Sequence, residues 1–141
     1  SNSKFLDYHE QQGTRDFTAF LTIPRALEFM KENNWTTVSK HCAELAQSNY
    51  KRFCDLFNTL PLCPINNDWL GQMCSVPIKT SKPDKLKLLL YDKYKIEIPV
   101  MPQGKNTFLR YSIQAYNTQK DLDTLYYVLE EILSATDIFG N

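Results

Sequence analysis

From Thr107 to Leu133 the apolar pattern changes period once, at a single polar break, and this limits the folds open to the chain. Thr107 to Ile113 alternates as a β-strand does, with Leu109 and Tyr111 on one side and Phe108, Arg110 and Ser112 on the other. Asn117-Thr118 interrupts the alternation. Beyond it Leu122, Leu125, Leu129, Ile132 and Leu133 recur at helical spacing, and Thr118 followed by Asp121 forms a capping-box pattern. A strand feeding a capped helix calls for a mixed α and β layer around one core.

The remaining segments fit that frame. Thr22 is a candidate N-cap with Pro24 in the first turn, and Ile23, Ala26, Leu27 and Met30 supply one face until Asn33-Asn34. A longer helix over 36–58 carries Val38, Cys42, Leu45, Ala46, Phe53, Leu56 and Phe57, and Pro61 and Pro64 close it off. Gln72 to Lys79 reads as a strand, near a sheet edge because Pro77 cannot donate to a ladder. Ser81 and Pro83 open a third helix with Leu86, Leu89, Leu90 and Tyr94 on its apolar side. Ile96 to Val100 alternates as a half-buried strand, and Pro102 to Asn106 is a turn around Gly104 that makes a hairpin with the strand after it. The expected class is α+β: a small, mostly antiparallel sheet of about three strands with helices packed on one face. Residues 1–16 read as an irregular leading segment and 17–141 as one domain.

Composition narrows the function classes. Lysine plus arginine and aspartate plus glutamate each total 16, so the formal net charge is zero, which speaks against a dedicated nucleic-acid or membrane-surface module. No apolar run approaches the roughly 20 residues of a membrane helix, and the polar start SNSKFLDYHEQQ has no signal-peptide core. Cys42, Cys54, Cys63 and Cys74 form no C-x-x-C pair, and neither His9 nor His41 stands at a metal-finger spacing, so no metal site is expected. Reduced structural thiols and a cytoplasmic location follow. No Gly-rich phosphate loop is present.

Two short motifs carry chemical content. Arg110 sits in mid-strand, where it reads either as a surface arginine paired with an acid or as a fixed fork aimed at a carboxylate. Gly13-Thr14-Arg15-Asp16 reads either as a loop capped by Asp16 or as an exposed hydroxyl on a permissive backbone, suited to a phosphate oxygen.

Taken together, GTRD followed by FTAFLTIPRALEF, and IEIPVMPQGKNTFLRYSIQAYNTQKDLDTL near the other end, resemble the two ends of the C-terminal region of class V aminotransferase-fold enzymes, especially the isopenicillin-N-epimerase-like branch. The resemblance runs from about Gly13 to Leu133. It implies a pyridoxal 5′-phosphate enzyme of fold type I, working as a homodimer on a small amino-acid-like substrate. It implies that Arg110 holds the substrate α-carboxylate, and that Gly13 and Thr14 reach the cofactor phosphate of the partner subunit. Arg15, Ser112 and Asn117 match the motif as supporting residues.

Two departures refine this expectation. The family's Schiff-base lysine and the groups that hold the cofactor ring belong to a large domain upstream of GTRD. This chain is therefore read as the C-terminal small domain, inactive alone, with no catalytic residue of its own and with the large domain as its partner. Cysteine desulfurases share the scaffold but need a nucleophilic cysteine between the last two strands, where this chain has Pro102 to Lys105. A non-catalytic binding module is a further alternative, and a ferredoxin-like ligand domain would require another strand order. Phe5, Phe17, Phe20, Trp69 and Tyr116 are candidates for an exposed apolar face through which the separated domain self-associates.

Overall fold

Proline and asparagine punctuation divides the chain much as the apolar periods suggest. The computed structural model describes residues 2–10, 13–14 and 16–139. The elements are α1 (Lys4–Glu10), α2 (Thr18–Leu21), α3 (Ile23–Glu32), α4 (Trp35–Leu56), β1 (Met73–Ile78), α5 (Pro83–Asp92), β2 (Val100–Gln103), β3 (Asn106–Ser112) and α6 (Gln119–Ala135). The chain forms two compact units, Ser1–Trp35 and Thr36–Asn141.

The first unit holds three short helices with no buried residue among those described. Pro24 stands in the first turn of α3, and Asn34 ends the segment in the left-handed region at φ 48°. Thr22 precedes α3 but does not cap it in the usual way. Because α2 runs directly into it, its backbone is already helical and its hydroxyl donates to the Ala19 carbonyl at 2.7 Å. Phe29 and Trp35 place their rings 6.4 Å apart beside an apolar groove of about 500 Å³.

The second unit is the α+β layer. Its sheet has the order β1-β3-β2, with both pairs antiparallel. β1 is an edge strand, as Pro77 requires. One face carries Cys74, Val76, Ile78, Leu109 and Tyr111, all buried against Ala46, Tyr50 and Phe53 of α4, Leu86 and Leu90 of α5, and Leu122, Leu125, Leu129 and Ile132 of α6. α4 ends in a Schellman cap: Asn58 takes φ 50°, Thr59 N–H reaches Cys54 O at 3.0 Å and Asn58 N–H reaches Asp55 O at 3.1 Å. At the start of α6 the Asp121 carboxylate accepts the Thr118 N–H at 2.7 Å, completing the expected capping box.

One strand moves. The segment 96–100, expected to pair, contributes only Val100 to β2, and the ladder continues through Met101, Pro102 and Gln103 instead. The cause lies in how α5 ends. Lys95 takes φ 58° and the Ile96 N–H folds back to Leu90 O at 2.9 Å, so this stretch finishes the helix. Pro99, opposite Arg110, has no N–H to give and only accepts, from the Arg110 N–H at 3.0 Å. The turn contracts to Gly104-Lys105, with Gly104 at φ 60° in the manner of a type II′ hairpin.

Among the described residues no helix is long and apolar enough to cross a membrane, no cluster of His, Cys, Asp and Glu could hold a metal, and the four cysteines are unpaired.

Candidate functional site

Strand alternation sends Phe108, Arg110 and Ser112 to the side of the sheet away from the helices. In register, Ser75 of β1 lies directly across from Arg110, Met73 across from Ser112, and Pro77 and Met101 flank Phe108. This face is open. Met73 and Ser112 are exposed, and the others are half-buried rather than enclosed.

The strands beneath Arg110 are fixed from the helix side. Tyr111 donates its hydroxyl to Ala46 O at 2.7 Å, and Tyr50 donates to Ser75 O at 2.9 Å while accepting the Leu62 N–H at 3.0 Å. Burial pushes both phenols above their ordinary range, so they remain protonated donors. The residue after Arg110 and the residue across from it are thus both tied to α4, and the guanidinium projects from a stiff base.

No described carboxylate lies within ion-pair distance of Arg110. Its Nε is buried without a hydrogen-bond partner among the described residues. A buried, unsatisfied donor on a permanently charged group is costly unless an acceptor completes it. Arg52 is the contrast: it pairs with Asp123 and stacks 4.0 Å from the centre of the Tyr126 ring.

Beyond β3, Asn117 closes the loop. Its side-chain oxygen accepts the Gln114 N–H at 2.9 Å, and its own N–H reaches Gln114 O at 2.8 Å. Gln72 reinforces the same end of the sheet by donating to Ile113 O at 2.8 Å. Ser112 stands at the exposed end of the strand on the Arg110 face.

Gly13 and Thr14 belong to the first unit and are exposed. Gly13 takes φ 74°, with open space where a side chain would begin. Asp16 accepts the Thr18 N–H at 2.8 Å, which lowers its carboxyl below the usual range and gives it the turn-capping role. Arg15 lies outside the described residues.

Ser75, Tyr50 and Gln72 were not singled out by sequence reasoning. Their roles depend on the pairing of β1 with β3, for which no local pattern exists. Cys74 and Cys54 point away from thiol chemistry. Cys74 is buried on the helix side of the sheet, and burial raises its thiol; burial also pushes Cys54 up to about 11.

The sequence profile of the aminotransferase class-V family matches residues 4–125, most of the chain and all of the strands that frame Arg110. The chain belongs to the class-V aminotransferase family. It is 27% identical over 124 residues to the isopenicillin N epimerase of Amycolatopsis lactamdurans, covering 87% of this chain and 31% of that protein. It is 26% identical over 125 residues to the isopenicillin N epimerase of Streptomyces clavuligerus, again covering 87% and 31%. The chain therefore spans about a third of the length of these relatives. Pyridoxal 5′-phosphate is the cofactor that membership of the class-V family implies.

Proposed function

We propose that this chain is the C-terminal small domain of a pyridoxal-phosphate enzyme of epimerase or aminotransferase type, acting on an amino acid or related amine. Its contribution is to anchor the substrate carboxylate through Arg110. The observation that carries the reading is the guanidinium itself: unpaired among the described residues, with an orphaned Nε, on the open face of a braced sheet. A planar fork in that state binds a carboxylate through two parallel hydrogen bonds, and it holds the substrate's amino carbon at a fixed height above the strand.

The residues present fit a cofactor phosphate at one place. Thr14 offers an exposed hydroxyl beside Gly13, whose φ of 74° lets backbone approach a ligand closely. In this reading they face the phosphate bound by the partner subunit of a homodimer, with Arg15, Ser112 and Asn117 in support. The cofactor, when bound, supplies the electron sink for bond breaking at the substrate's amino carbon. This chain's own residues bind and orient. Lys40, the lysine adjacent to His41, is exposed on α4 and lies 3.8 Å from Glu44, so it is a surface side chain and not a cofactor anchor. The large domain supplies the lysine, and the chain alone is inactive. A reducing, cytoplasmic setting agrees with four unpaired thiols.

The test is Arg110→Ala in the full-length enzyme. Loss of a charged anchor costs about 2–5 kcal/mol, so KM for the carboxylate substrate rises by about 30-fold or more. Arg110→Lys recovers only part of this, because an ammonium cannot reproduce the fork. An unchanged KM in the alanine variant refutes the assignment. For the chain alone, added cofactor gives no stoichiometric visible band, and such a band would refute its inactivity.

A further inference from the structure

A recess of about 450 Å³ lies where the end of β1, the β2–β3 turn and the chain after α4 meet, bordered by Thr59, Lys79, Thr80, Ser81, Lys105 and Thr107. It lies three register steps along β3 from Arg110, about 10 Å. Its size is within the range of small-molecule sites.

The charge in the recess is one-sided. Among the described residues no aspartate or glutamate lines it. Lys79 and Lys105 pair with no described carboxylate, and Asp137, the acid on the neighbouring α5 side, is engaged by Lys82 and Lys85. Two lysines therefore line one concavity in a chain whose formal net charge is zero.

The walls are fixed while the donors are free. The Thr59 hydroxyl donates to Pro77 O at 3.0 Å, and the Thr80 hydroxyl donates to Ile138 O at 2.6 Å while accepting the Lys82 N–H at 3.0 Å. The Ser81 and Thr107 hydroxyls have no partner among the described residues. Gly104 at φ 60° tightens the hairpin so that Lys105 occupies the second turn position, at the rim. Lysine is a point charge without a planar fork, and hydroxyls donate in any direction, so this set suits a tetrahedral oxyanion better than a planar carboxylate.

The geometry points to a second anion site, one that takes a dianionic phosphate group between Lys79 and Lys105 with Ser81 and Thr107 as donors. It does not depend on the role of Arg110. Titration of the chain with inorganic phosphate at low salt, followed by amide NMR, tests it. The expected result is saturable shifts confined to residues 78–81 and 105–107, weakened at least tenfold in the double variant Lys79→Gln/Lys105→Gln. The control Lys87→Gln/Lys120→Gln, which removes the same charge outside the recess, leaves binding unchanged, and all variants keep the dispersed spectrum of a folded chain. Phenyl phosphate binding more tightly than inorganic phosphate identifies an organic phosphoester as the occupant, and equal binding identifies free phosphate. Unlocalised shifts, equal weakening in the control, or malonate binding as well as phosphate overturns the proposal.

Discussion

The hydroxyl of Tyr111 donates to the carbonyl of Ala46 at 2.7 Å, joining β3 to α4 across 65 residues. The bond ties the inward side of the strand, which Leu109 also packs into the core, and by alternation the neighbouring Arg110 lies on the other side. The ring packs 5.3 Å from that of Phe53, so the phenol is held by both polar and apolar contacts.

Tyr111→Phe keeps the ring and removes the donor. The expected loss is about 1 kcal/mol of stability, seen as a lower urea midpoint with an unchanged slope. A variant as stable as the original would show that the ring alone locks the strand.

Arg110→Ala leaves the stability of the isolated chain within about 0.5 kcal/mol of the original. An arginine with no partner among the described residues contributes little to folding, and its orphaned Nε is a burden that the substitution lifts. A loss of about 2 kcal/mol or more in chemical denaturation would mean that Arg110 is structural.

Thiol labelling under native conditions modifies Cys63 first, because it is the one half-buried cysteine; Cys42, Cys54 and Cys74 are buried and wait on unfolding. The Cys54 thiol is raised by burial from 9.0 to about 11. A raised acid favours its neutral form in the folded state, so this contribution is whole below about pH 9 and falls as pH rises towards 11. Urea midpoints measured across that window should decline, and Cys54→Ala should flatten the decline.

At the acid end the carboxyls of Asp123, Glu131 and Asp137 are held below their ordinary values. The partners responsible are Arg52, then Tyr94 with Lys93, then Lys82. Lowered carboxyls add stability above their unfolded values of 3.8 to 4.5, and that stability disappears as pH falls below them. Asp137→Asn should narrow the difference in urea midpoint between about pH 7 and pH 3. Since all three groups are at the surface, added salt should narrow it too.

Phe5, Phe17, Phe20, Trp69 and Tyr116 are all exposed, at 48% to 80%. Apolar surface of this kind drives association, so sedimentation of the chain should show a mass that rises with concentration. Phe17→Glu with Phe20→Glu should lower that mass. A monomer at high concentration would refute the expectation.

The sequence by itself determined the features set within a few residues. Pro77 confined β1 to an edge, Thr118 with Asp121 started α6, and alternation through 107–113 assigned Arg110 to the face opposite Leu109 and Tyr111. Steric limits and the two-residue pleat act locally, so each leaves a local mark. Tertiary structure decided which strands pair and where pairing begins. The stretch 96–99 alternates like a strand yet closes off α5, because Lys95 turns left-handed, Ile96 bonds back to Leu90, and Pro99 has no donor to offer a ladder. The partners of Tyr50, Tyr111 and Gln72 lie 12 to 65 residues away. Which of many distant carbonyls a hydroxyl or amide meets is fixed only when helix and sheet close on a common core, and that closure is what gives Arg110 its braced position, unpaired among the described residues.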